Sequence, residues 1–131
     1  MDSVTISFQY ERAHSTLNYP LAITDMPQTS LKKLFKLMVS DDRREANEEV
    51  VCITHEALKA YVVETKETWN DASIDFQMGF VDTKYHYCSN VRAATANNKR
   101  LLNTVKSAKA KHERVKKLLT FFEEVKDKYF N

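Results

Sequence analysis

Two pairs of side chains in this 131-residue chain are of the types that hold zinc: Cys52-x2-His55 and His86-x-Cys88. Cys52 and His55 share a helical face at their spacing. On a helix His86 and Cys88 point about 200° apart, so a four-ligand site needs the second pair on extended backbone. The other histidines, His14 and His112, have no carboxylate or nucleophile at a spacing that forms a catalytic constellation, and His112 falls on an apolar seam. The expectation is a chain that is not an enzyme and takes no metal, cofactor or small-molecule substrate. Two cysteines, Cys52 and Cys88, are too few for a disulfide scaffold and are expected as buried thiols in a reducing compartment.

Charge is the stronger chemical signal. From Asp41 to Asp75 ten acidic residues face four basic ones, whereas between Arg92 and Lys117 nine basic residues face only Glu113. Such a division fits either two oppositely charged helical faces that complement each other within one fold, or a surface for nucleic acid or an acidic partner.

Whatever positions these charges is helical. One glycine and two prolines stand where average usage gives about nine and about six, which argues against barrels, sandwiches and Gly-rich phosphate loops. No apolar run approaches the ~20 residues of a membrane span, and MDSVTISFQYER lacks the basic and apolar regions of a signal peptide, so an intracellular chain with no membrane partner is expected. Residues 3–11 alternate, with Val4, Ile6, Phe8 and Tyr10 on one side, and read as a strand. Its partner is either the short stretch 21–24 or another chain.

After Pro27, Thr29 or Ser30 is placed to cap a helix that ends near Ser40, with Leu31, Leu34, Phe35 and Met38 on one face. In the charged connector that follows, Asp42 and Glu45 or Asn47 are the candidate caps of the next helix. That helix runs from Glu48 to about Thr68, with an apolar face of Val50, Ile53, Ala57, Leu58, Tyr61 and Val62. Residues 70–83, which contain Gly79, fit both periods and are expected as a loop with a short extended piece. Residues 85–91 read as a short helix. Leu101, Val105, Ala108, His112, Val115, Leu119, Phe122 and Tyr129 then mark a long amphipathic C-terminal helix, with a break expected near Asn97-Asn98.

This order, together with three segments, resembles the histone-fold subunits of nuclear factor Y, negative cofactor two, the chromatin accessibility complex and DNA polymerase epsilon. MPQTSLKKLFK at 26–36 is similar to the family's opening motif through Pro27, Leu31, Lys32, Lys33, Leu34 and Lys36. EEVVCITHEALKAYVVE at 48–64 is similar to the central helix through Glu49, Val51, Ala57, Tyr61 and Val62. TKYHYCSNV at 83–91 resembles the loop and third helix through Lys84, Tyr85, Ser89 and Val91. Ser30 stands at the position of the family's first-helix arginine.

The resemblance covers residues 26–105. It implies a mainly α chain with an N-terminal arm over 1–25, a histone-fold core over 26–97 and an extra C-terminal helix over 98–131. It further implies a nuclear subunit that forms a heterodimer with a second histone-fold protein through Leu34, Val51, Leu58, Tyr61 and Val62, in a replication, chromatin or transcription assembly. Duplex DNA would be held without sequence specificity by Lys32, Lys33, Lys36, Arg43, Arg44, Lys84, Lys106, Lys109 and Lys111. The competing expectation is a stand-alone helical adaptor or inhibitor that binds a protein through the N-terminal strand and the acidic central helix. A third is direct nucleic-acid binding without a dimer partner.

Overall fold

The computed structural model describes residues 3–12, 15–83 and 90–130, of which 7–12 and 15–20 are described by backbone alone. The chain is mainly helical. Strand β1 (Thr5–Arg12) and strand β2 (Ser15–Ala22) form an antiparallel pair, followed by helices α1 (Gln28–Ser40), α2 (Arg44–Gly79) and α3 (Val91–Phe130). Among the described residues no helix is long and apolar enough to cross a membrane. The chain forms two compact units. Unit 1 comprises residues 1–62 and 115–131, unit 2 comprises residues 63–114, and α2 and α3 each contribute to both.

In unit 1 the N-terminal strand pairs within the chain, from Thr5↔Ala22 to Arg12↔Ser15. The pairing continues through Ile23 N–H to Val4 O at 2.9 Å. Pro20 is tolerated because a two-stranded sheet has only edge strands. Val4, Ile6 and Ile23 are buried with Leu31, Leu34, Phe35 and Met38 of α1, Val51, Leu58 and Tyr61 of α2, and Val115, Phe122, Val125 and Phe130 of α3.

Phe35 is the hub of this core. Its ring meets Phe122 edge-on at 5.2 Å and Phe130 at 5.9 Å, and lies tilted against Tyr129 at 6.5 Å. Offset and edge contacts of this kind suit the quadrupoles of aromatic rings.

Helix α1 ends at Ser40 as expected but starts at Gln28, ahead of the expected caps, so neither Thr29 nor Ser30 caps it. Pro27 occupies the N-cap, without a side-chain cap hydrogen bond, and its carbonyl accepts the Leu31 N–H at 3.1 Å. Nor does α2 use its expected caps. Its first backbone bond runs from Asn47 N–H to Arg43 O at 2.9 Å. The Asn47 side chain instead turns back, and its Nδ2 donates to Met38 O at 3.1 Å and to Asp41 Oδ2 at 3.3 Å. Both Asn47 and Asp41 are buried, so this amide ties the end of α1 to the start of α2.

The apolar face expected for α2 is rotated. Ile53 is 63% exposed, while Thr54 and His55 are buried. Thr54 Oγ1 donates to Val50 O at 2.8 Å. The His55 ring is buried by stacking on Phe122, while its Nε2, 3.5 Å from Glu123 Oε2, makes no hydrogen bond among the described residues. A reading that counts only apolar side chains misses this stripe.

Unit 2 is the antiparallel pair formed by the second part of α2 and the first part of α3. Residues 70–83 are not a loop with an extended piece: helix α2 continues through Gly79. The apolar residues that imitate period two are largely unburied, with Ile74, Met78 and Phe80 exposed. Ala72 is buried, and Phe76 meets Phe80 one helical turn on. Gly79 lies where the two helices approach closely; a Cβ there would stand 2.9 Å from Leu101 Cδ1.

Nor is α3 broken at Asn97-Asn98. Asn98 accepts the Val81 N–H at 3.0 Å and donates to Val81 O at 2.7 Å, so its amide closes the α2–α3 connection from within the helix. Deeper in the unit, Thr65 Oγ1 and His112 Nδ1 are hydrogen-bonded at 3.0 Å, both buried. The short helix expected over 85–91 falls largely outside the described residues, and Val91 is the first residue of α3.

Candidate nucleic-acid interface

The basic segment Arg92–Lys117 lies wholly on α3. In unit 2 the packed side of this helix carries Leu101, Val105, Ala108 and the buried His112. Half a turn away lie Arg92, Lys99, Lys106 and Arg114, all exposed. Helical geometry puts these four within an arc of about 80° and along about 33 Å of axis. None of the four has a hydrogen-bond, ion-pair or ring partner among the described residues. Unpaired exposed cations hold their full charge toward solvent, and a row of them raises the local concentration of anions.

Other cations are engaged. Lys59 Nζ donates to Glu56 Oε1 at 3.1 Å, and this bond, then the charge of Lys59, holds the exposed Glu56 carboxyl below its ordinary range. Lys66 lies over the Trp69 ring at 4.5 Å, and Lys109 over the same ring at 5.8 Å. Arg100 donates to Asn97 Oδ1 at 2.9 Å. Arg44 donates to Tyr129 O at 3.2 Å and sits over the Phe130 ring.

The cations expected from sequence therefore divide. Lys32, Lys33 and Lys36 are exposed on α1, with Lys32 over the Phe121 ring at 5.8 Å. Arg43 is half-buried and interacts within the chain, as does Lys111. Lys106 is exposed and has no partner among the described residues, whereas Lys109 lies over Trp69. Lys84 lies outside the described residues. Arg92, Lys99 and Arg114 belong to the basic segment but not to the expected contact set. What marks them is an exposed place on one side of the helix with no partner among the described residues, which a charge count does not reveal.

The residues expected to meet a second chain are placed in unit 1. Leu34, Val51, Leu58 and Tyr61 are buried in the chain's own core, and Val62 is half-buried against it. Beside them, Leu21, Ala22, Met26, Leu34 and Leu37 line a groove of about 520 Å³ between the end of β2 and α1.

Of the four residues that could be imagined around zinc, Cys52 is exposed rather than buried, on the outer side of α2, and His55 turns into the core. Positions 86 and 88 lie outside the described residues, among which no cluster of three metal-ligating side chains occurs. The chain matches no family model, curated protein or solved structure.

Proposed function

We propose that this chain is a non-catalytic helical module that binds nucleic acid by its phosphate backbone, and that it does so as a self-contained fold. One observation carries the reading: on α3 in unit 2, exposed cations without partners among the described residues occupy the side of the helix opposite its packed face. Backbone charge is the sequence-independent handle by which proteins hold nucleic acid.

The histone-fold resemblance points to the same class of ligand, and its order of a short helix followed by a long one agrees with α1 and α2. In that form the chain is a nuclear subunit joined to a second histone-fold protein. The burial of Val51, Leu58 and Tyr61 under other elements of the same chain favours the form without an obligate partner. The adaptor reading, which places binding on the hairpin and the acidic stretch of α2, predicts no association with a nucleic acid at any salt concentration.

Light scattering tests the proposal. The isolated chain is expected to scatter as a folded 15.3 kDa species and, at low salt, to add its mass to a DNA duplex of about two helical turns. An isolated chain that is unfolded or aggregated until a second protein is added contradicts the self-contained form. A duplex whose mass is unchanged by the protein contradicts the function.

A further inference from the structure

Resting on that reading, we propose that the binding surface is the row Arg92, Lys99, Lys106 and Arg114 of unit 2, and that its ligand is duplex DNA rather than a single strand. The spacing carries the argument. Successive members are seven, seven and eight residues apart, so they return to one line of the helix about every 11 Å. A continuous helix carries these four charges over about 33 Å, close to one turn of B-form DNA. A stiff duplex can match such a row along its length without the ordering cost of a flexible strand.

Residue types along the row favour the same ligand. Ala96, Asn103 and Ala110 fill the positions between the cations on this line of the helix, all exposed. Small side chains let the helix surface come close to a phosphate backbone, and Asn103 adds an amide donor. No aromatic residue lies on the row. Binding of single strands relies on aromatic platforms for successive bases. The half-buried Trp69 of this unit is on α2, with Lys66 and Lys109 over its ring. What remains on the row is charge complementarity to a regular backbone, which positions the duplex and reads no base edges.

Other exposed cations also lack a partner among the described residues. Lys116 and Lys117 are on the part of α3 that belongs to unit 1, and Lys33 and Lys36 form a single pair on the 13-residue α1. Lys33 and Lys36 serve as the control.

The experiment compares three full-length proteins by fluorescence anisotropy on a labelled DNA duplex and on a single strand of one of its sequences, over a salt series. They are the wild type, the combined variant Arg92→Gln, Lys99→Gln, Lys106→Gln, Arg114→Gln, and the control Lys33→Gln, Lys36→Gln. Circular dichroism confirms that each is folded, which the exposure of all six positions favours. The proposal expects the row variant to lose on the order of 100-fold in duplex affinity at low salt and to have a log–log salt slope shallower by about 3.6. The control is expected to stay within a few-fold of the wild type, and the single strand to bind more weakly than the duplex. If the wild type binds the duplex but the row variant binds as tightly, or the control loses as much, the row is wrong while the functional reading stands. Equal affinity for the single strand overturns the choice of duplex. A wild type that binds neither probe overturns the functional reading and the row with it.

Discussion

Phe35→Ala is expected to lower the unfolding free energy of the isolated chain by about 3–5 kcal/mol, the range for truncation of a fully buried aromatic residue. The residue is inaccessible to solvent, and its ring touches those of Phe122, Tyr129 and Phe130, so alanine leaves a hole walled by three large side chains. These rings come from the last turns of α3 and cannot follow the missing atoms without moving the helix end. A loss of this size is a large fraction of the roughly 5–15 kcal/mol that holds a typical domain together. Urea unfolding followed by circular dichroism measures it, as a lowered midpoint at unchanged slope. Should the alanine variant not fold, Phe35→Leu, which keeps most of the apolar volume, is expected to retain a cooperative transition at a reduced midpoint. A shift below about 0.5 kcal/mol for Phe35→Ala, the range of ordinary surface substitutions, would show that α1 is not docked on the C-terminal turns.

The second large effect is at Leu58. Leu58→Ala is expected to cost about 2–5 kcal/mol in the isolated chain, because the side chain is fully buried by the chain itself. Its partner in the comparison is Ile53→Ala on the same helix, at a position 63% exposed, where the change is expected to stay within about 0.5 kcal/mol. The contrast decides between two accounts of α2. If Leu58 instead waited for a second chain, its truncation would leave the isolated protein nearly unaffected and weaken only a heterodimer. Denaturation of the two variants, with no partner present, separates these outcomes.

Much of the fold was legible because so little interrupts it. With Gly79 the only glycine, long stretches of helix had few places to stop, and both the end of α1 with its buried face and the amphipathic seam of α3 were legible in the sequence. What escaped the pattern shares one physical cause: polar side chains acting inside the fold. Asn98 looked like a helix breaker, yet its amide is used to bond both backbone groups of Val81. Thr54, Thr65 and His112 are buried with a specific hydrogen-bond partner each, His55 is buried against the Phe122 ring, and hydropathy assigns all four to the surface. Conversely, Ile53, Ile74 and Met78 are apolar but exposed, which rotated the expected face of α2 and disguised its second half as a loop.

The candidate site divides along the same line. The charge of residues 92–117 was plain in the sequence, and so was the possibility that it marks a nucleic-acid surface. Which cations are free to act was not, because an arginine that meets Asn97, a lysine that lies over Trp69 and a lysine with no partner among the described residues are indistinguishable in a string of letters. Only their placement on α3 separates Lys106 from Lys109, three residues apart.

The central claim is that the row Arg92, Lys99, Lys106 and Arg114 of α3 holds duplex DNA through its phosphates. The salt dependence of wild-type binding tests it most directly. Four phosphate contacts predict that log Kd rises with log salt at a slope of about 3.6, an affinity loss on the order of 100-fold between about 50 and 200 mM. A slope near zero, or no binding at the lowest salt, would contradict the account.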